Sequence, residues 1–267
     1  MTDTRCAELH RLHKAGCFVI PNPWDAGSAV LLEQLGFKAL ATTSSGFAWS
    51  RGRRDNQIAL KDALDHCRAI AAAVSIPVSA DFEGGFAVDP GGVAAAVTAA
   101  ATTGIAGLSI EDSTGDPSRP LFDFDLAVAR IRAARAAIDE SRMPLVLTAR
   151  SEGFITGAPD LQETIRRLTA YAAAGADCVY APGIKSMDEI RAIVSAVAPV
   201  AVNVLVGNDF TTVAELAALG VRRISVGGAL ARAAWTGFLG AASEIAERGT
   251  FTTLAGAIPF ADINGRF

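Results

Sequence analysis

The sequence predicts a (β/α)8 barrel, and three observations carry that prediction. One short unit recurs along the chain, β-like and helix-like segments alternate strictly, and eight such units occupy most of the 267 residues. The unit is an Ala/Leu-rich helical stretch, a glycine and a short β-like run. It reads LEQLGFKALAT, AATTGIAGLSI, YAAAGADCVYA and LAALGVRRISV. Gly36, Gly104, Gly175 and Gly220 take the same place in each, where a residue suited to a helix C-cap belongs.

The β-like runs fall at residues 18–20, 39–42, 78–80, 107–110, 145–149, 178–180, 200–204 and 223–226. Helical segments lie between them at 27–35, 60–74, 91–103, 126–139, 160–174, 187–197 and 213–219, and a last one at 230–247 follows the eighth run. Helix-length crossovers imply parallel strands, and eight of them suit a closed TIM-type barrel better than an open sheet. A doubly wound sheet is the alternative. Against it, the first run leads into PNPWDAG, not the GxGxxG turn that seats a dinucleotide. No low-complexity linker or charge block divides the chain, so residues 1–267 are expected to form one barrel domain with a short C-terminal tail from 248.

Composition narrows the function classes. A formal charge of −4, with 24 scattered basic side chains, provides no field for a phosphate backbone, so no nucleic-acid partner is expected. The longest apolar stretches are too short and Ala-rich to span a bilayer, and the first residues lack a signal-peptide core. Cys6, Cys17, Cys67 and Cys178 show neither a CxxC pair nor metal-ligand spacing and read as reduced packing thiols. A cytoplasmic protein is expected.

Barrel enzymes place their chemistry at the C-terminal ends of the strands. Here those ends are acidic. SSGFAWSRGRRD after the second run carries Ser44, Ser45 and Asp55, and DFEGGF after the third carries Asp81 and Glu83. EDS after the fourth carries Glu111 and Asp112, the fifth ends in TARSE with Arg150 and Glu152, and the seventh holds Asn203. Asp81 and Glu83 are two apart and can leave a strand end on the same side, with Glu111 converging from the next unit. Crowded carboxylates repel unless a cation lies between them, and oxygen ligands without His or Cys suit Mg2+, with Mn2+ the alternative. The competing reading makes these acids solvated loop residues or helix caps. His10, His13 and His66 lie in helix-like segments and are expected at the surface, so a Ser/His/Asp triad finds no histidine. Lys185, expected to be exposed, is the one candidate for a Schiff base.

On WDAGSA, SSG, DFEGGF, the IED of GLSIEDS and TAR, the chain resembles the isocitrate lyase and phosphoenolpyruvate mutase superfamily from PNPWDAGSAV to SVGGALARA. The resemblance implies that Asp81, Glu83 and Glu111 surround Mg2+, partly through waters, with Asp55 in the same acidic shell. It implies that Ser44, Ser45, Gly46, Trp24, Asp25 and Asn203 line the substrate side, and that Arg150 pairs with the anionic group at the reacting end. Ser45, Asp55 and Arg150 are the implied catalytic set. The shared chemistry is a 2-oxo acid chelated by the metal, passing through an enolate as a C–C or P–C bond changes. In this superfamily the last helix commonly packs on a neighbouring subunit, so Trp235 and Phe238 read as interface anchors of a homo-oligomer, a dimer or tetramer, or else as closing their own barrel.

The chain departs from the lyase branch in one loop. Where isocitrate and methylisocitrate lyases carry Lys-[KR]-Cys-Gly-His, it has STGDPSRPLFDF, without Cys, Lys or His. Gly115, Pro117 and Pro120 give that loop the composition of a lid, and Arg119 is its one group for seating a phosphoryl substituent. The expected function is Mg2+-dependent C–C cleavage of an oxaloacetate-like 2-oxo acid. The alternatives are P–C chemistry of the phosphonopyruvate type, or a barrel that binds a 2-oxo acid without turning it over.

Overall fold

The computed structural model describes residues 2–267. Its strands are β1 (Phe18–Ile20), β2 (Leu40–Ala41), β3 (Val78–Asp81), β4 (Gly107–Glu111), β5 (Val146–Arg150), β6 (Cys178–Tyr180), β7 (Ala201–Leu205) and β8 (Arg223–Ser225). The helices are α1 (Thr2–Lys14), α2 (Ala26–Gln34), α3 (Ser44–Ser50), α4 (Leu60–Ala73), α5 (Pro90–Ala101), α6 (Phe124–Ser141), α7 (Leu161–Ala173), α8 (Met187–Val197), α9 (Val213–Ala218), α10 (Ala229–Arg248) and α11 (Phe260–Asn264). All seven paired strand contacts are parallel, in the order β1-β8-β7-β6-β5-β4-β3-β2. At the remaining seam the Ala41 N–H donates to the Pro21 carbonyl at 3.0 Å, and the sheet becomes a barrel. This is the (β/α)8 architecture that the repeat implied.

Asn22 binds the mouth side of that seam. Its Nδ2 donates to the Thr42 carbonyl at 2.9 Å, while its Oδ1 accepts the N–H groups of Val226 and Gly227 at 2.9 and 2.8 Å. One amide thus ties the segments following three strands, using both of its hydrogen-bonding ends. Because the Thr42 carbonyl is taken by this side chain, β2 stops at Ala41, one residue short of the sequence expectation.

The core lies between the strands and the helical shell. Buried Ala96, Ala100 and Ala101 on α5, and Ala127, Ala134 and Ala137 on α6, keep that pair of helices close to each other and to the sheet. α1, which lies outside the repeat, buries Cys6, Leu9 and Leu12 near the N-terminal ends of the strands. Gly107 at the start of β4 is required there: an added Cβ would stand 2.8 Å from the Val146 carbonyl and 3.0 Å from Leu9 Cδ2. Cys6, Cys67 and Cys178 are buried and Cys17 is half-buried, and no described helix is long and apolar enough to cross a membrane.

The histidines correct the sequence reading. His13 is buried, donates from Nδ1 to the Leu9 carbonyl at 2.7 Å and packs edge-on against Phe18 at 5.1 Å, because α1 turns this face onto the barrel end. His66 stacks on Phe47 at 3.8 Å. Burial pushes the His13 imidazole down to about 3, helped by the charge of Arg223, and burial pushes His66 down to about 4.

A folded-state pKa below the unfolded value means that unfolding takes up protons between the two, so stability is full above about pH 6.5 and declines on acidification. His13 alone should cost about 2 kcal/mol between pH 8 and pH 5. Urea unfolding at the two pH values checks this, and His13→Phe should remove most of its share of the slope. An unchanged slope in that variant contradicts the assignment.

Candidate active site

Burial along the strands shows where the mouth lies. β3, β4 and β5 are buried up to their last residues, and those residues, Asp81, Glu111 and Arg150, are partly open. Parallel registration sets Glu111 beside Arg150 and Arg150 beside Tyr180. Registered partners project from the same face, so these side chains meet inside the barrel. Arg150 is the hub. Its Nη1 meets Asp81 Oδ1 at 2.7 Å, Nη2 meets Glu111 Oε2 at 3.2 Å, and Nε meets Glu152 Oε1 at 2.8 Å, with the Tyr180 ring 5.2 Å away.

The other side of Asp81 is held by the segment after β2. Its backbone N–H donates to Thr42 Oγ1 at 2.8 Å, and its Oδ2 accepts the Ser44 N–H at 2.9 Å. Thr43 caps α3, accepting the Gly46 N–H at 3.3 Å, and shares a hydrogen bond with Ser45 Oγ at 3.0 Å. Gly46 is buried where a Cβ would stand 2.7 Å from Thr43 Cγ2, which explains the glycine in SSG. The DFEGGF loop turns sharply, with Glu83 at φ 48° and Phe86 at φ 56°, left-handed values that cost a non-glycine residue strain. The Glu83 carbonyl accepts the Glu111 N–H at 3.0 Å, and Arg130 secures the turn by donating to the carbonyls of Gly84 and Ala87.

Electrostatics follow from this crowding. Burial pushes the Glu83 carboxyl up to about 7, reinforced by Asp81 and Asp55 and opposed by Arg150. Burial likewise raises Glu111 and Glu152, against the pull of Arg150, and raises Asp55 with help from Asp81. The three acids around Arg150 overcome burial and hold its guanidinium well above the ordinary range. Acidic groups thus outnumber the guanidinium at the mouth, and a divalent cation would favour their ionised form. Among the described residues no three Asp, Glu, His or Cys side chains come together as a direct ligand cage. An ion here would be held largely through water, which Mg2+ tolerates.

A cavity of about 230 Å³ opens here, with Ser44, Ser45, Asp55, Asp81, Arg150 and Tyr180 in its wall. Glu111 joins through Arg150, and Glu83 sits on the adjoining turn. Asn203 lies buried below the wall, donating from Nδ2 to Ser225 Oγ at 2.9 Å. Trp24 and Asp25 lie outside the wall. Asp25 is exposed and caps α2, accepting the Ser28 N–H at 2.7 Å, and the Trp24 Cβ lies 3.0 Å from where a Gly46 Cβ would stand. Lys185 is exposed. The 113–124 loop is held to itself by a Ser113–Leu121 bridge and a Thr114 N–H to Pro120 carbonyl bond of 3.0 Å.

Sequence reasoning gave no role to Glu152, Tyr180 or Arg223. The TARSE spacing, which puts Glu152 two residues after Arg150, was the available signal for the first. It also gave no role to Asp112, which is fully buried. Asp112 Oδ1 accepts the Glu152 N–H at 2.8 Å, and its Oδ2 accepts Tyr171 Oη at 2.6 Å and Arg167 Nη1 at 3.1 Å. This network fixes Glu152 behind Arg150.

A family model for phosphoenolpyruvate phosphomutase matches residues 9–246. The chain belongs to the phosphoenolpyruvate mutase/isocitrate lyase superfamily. Within this superfamily it is 32% identical to the uncharacterized protein Rv1998c of Mycobacterium tuberculosis H37Rv, over 97% of this chain and 95% of that one. It is 30% identical to the oxaloacetate decarboxylase of Bradyrhizobium diazoefficiens, over 68% of this chain and 64% of the relative. A crystal structure of a lyase/mutase candidate from Burkholderia cenocepacia J2315 superposes with a TM-score of 0.96 at 49% identity, covering 99% of this chain and 95% of the other. Oxaloacetate acetylhydrolase bound to oxalate superposes with a TM-score of 0.88 at 28% identity, over 99% and 94%. Superfamily members among these relatives thus include C–C lyases and hydrolases.

Asp112→Ala should destabilise the protein by about 2–4 kcal/mol, since the buried Tyr171 hydroxyl and Glu152 N–H lose their acceptor and Arg167 keeps only Glu163 as an acid. Chemical denaturation at pH 7 measures this, and a loss below about 1 kcal/mol would refute the structural role.

Proposed function

We propose that this superfamily member cleaves a carbon–carbon bond in a small 2-oxo dicarboxylate of the oxaloacetate class, using Mg2+, or Mn2+, in the acidic mouth. The observation that carries the reading is Arg150, fixed by three carboxylates beside Ser44 and Ser45 in a cavity of about 230 Å³. That volume lies below the roughly 300–1,000 Å³ of sites for drug-sized ligands and suits a substrate of few atoms. The oxaloacetate-acting relatives support the same substrate class.

A divalent cation bound here supplies Lewis acidity toward the carboxylate and 2-oxo oxygens. The chain's own residues do the rest. Asp81, Glu83 and Glu111 would hold the ion, with Asp55 adding charge at the rim. Arg150 faces the 2-oxo acid end and stabilises charge developing on its oxygens, and the Ser45 hydroxyl and amide assist without reorganisation. Ile155, Pro182 and Leu205 give the wall an apolar side. The 113–124 loop offers no Cys, Lys or His as general acid, which favours decarboxylation or hydrolysis, reactions that ask little of a lid. The family model favours a second reading, P–C chemistry on a phosphonopyruvate-type substrate.

We also propose that residues 1–267 act as one domain within a homo-oligomer, dimer or tetramer, built through α10. This helix buries only Ala231 in its own protomer, while Phe238 and Leu239 are 60% and 57% exposed. Its first turn packs on its own barrel through Ala231, and a second copy is the surface that the exposed remainder suits.

Oxaloacetate should disappear faster with enzyme and Mg2+ than with Mg2+ alone, and EDTA should abolish the difference. Product NMR then separates pyruvate (decarboxylation) from acetate plus oxalate (hydrolysis). No enzyme-dependent loss, together with a changed phosphorus spectrum on phosphonopyruvate, would move the assignment to P–C chemistry. With neither reaction but with Mg2+-dependent oxalate binding, the barrel is a binding protein. Arg150→Ala should lower kcat/KM about 10²–10³-fold, and Asp81→Ala should eliminate Mg2+-dependent oxalate binding. Oxalate binding that persists with chelator would overturn the metal assignment.

A further inference from the structure

Barrel interiors are ordinarily filled by branched apolar side chains. This one holds a second arginine. Arg223, the first residue of β8, is 5% exposed and forms part of the cavity wall together with Arg150 and Ser109. The strand register explains how it gets there. One row of registered neighbours runs from Glu111 to Arg150, Tyr180, Asn203 and Arg223. Glu111, Arg150 and Tyr180 end their strands, Asn203 lies in the middle of β7, and Arg223 opens β8. Strand tilt therefore carries the row from the acidic mouth down to the cavity floor.

Arg150 at the top of this row is matched by three carboxylates, and Arg223 at its lower end by none. Among the described residues no Asp or Glu oxygen lies within ion-pair distance of its guanidinium. Nη1 donates to the Thr148 hydroxyl at 2.9 Å, and Nε is buried without a partner. A buried guanidinium facing a cavity without a counter-charge is costly unless an anion arrives. Its five donors in a planar fork match a carboxylate.

We infer that Arg223 receives the second carboxylate of the substrate, so that the cavity selects 2-oxo dicarboxylates over 2-oxo monocarboxylates. The acidic mouth takes the 2-oxo acid end and the floor takes the distal carboxylate. This specificity role rests on the reading of the mouth as a 2-oxo acid site.

Titration calorimetry on the full chain with Mg2+ tests both ends separately. Oxalate is too short to reach beyond the mouth, whereas 3,3-difluorooxaloacetate carries a distal carboxylate. The wild-type protein should bind both. Arg223→Met should weaken difluorooxaloacetate at least tenfold and leave oxalate within about twofold, and Arg223→Lys should recover part of the loss. Equal weakening of both ligands, or of neither, overturns the role of Arg223. Should Arg223→Met fail to fold, Arg223→Lys decides: a loss confined to difluorooxaloacetate supports the inference, and an equal or absent loss overturns it. Wild-type binding of oxalate without difluorooxaloacetate sinks the inference and spares the mouth. Arg223-dependent binding of difluorooxaloacetate without oxalate sinks the reading of the mouth and spares the floor.

Discussion

A buried guanidinium held by three carboxylates organises the mouth of this barrel. Arg150 reaches Asp81 on β3, Glu111 on β4 and Glu152 just beyond its own strand. Each contact draws on a different part of the fold: Asp81 is set by Thr42 and Ser44, Glu111 by the turn at Glu83, and Glu152 by Asp112. A displaced neighbour would leave a charge buried and unmatched, so the geometry is cooperative. The surplus of acid groups over basic ones suits a hard cation, and burial, reinforced by the neighbouring acids, raises the carboxyls there.

Supporting residues show the same division of labour. Asp112 spends its carboxylate on Tyr171, Arg167 and the Glu152 amide, and is thereby removed from the cavity although it stands next to Glu111 in sequence. Arg130 braces the DFEGGF turn from behind. Asn22 fastens the seam of the sheet at the rim. Each of them fixes a residue at the cavity wall or behind it.

Much of this was legible from local pattern. The glycine-ended repeat located four of the strands, and the apolar runs between those units located the other four, because a helix stop followed by an apolar run is a local signal. DFEGGF, IED and TAR placed acids and Arg150 at strand ends, where barrel topology brings them together. Other features had no local signature. SSGFAWS lies outside every helix that the sequence predicts, and it becomes α3 because Thr43 caps it and Trp49 packs against Gly228. Asp25 reads as a site acid in sequence and is a helix cap in space.

What the sequence by itself determined was the period, the order of strands and the identity of the groups that end them, since these depend on residues close along the chain. What only the tertiary structure decided was pairing and depth. Asp112 and Glu111 are chain neighbours with opposite surroundings, His13 is buried by a helix outside the repeat, and Arg223 meets the cavity through strand register. Burial and charge balance are sums over residues distant in sequence, so no local reading can supply them.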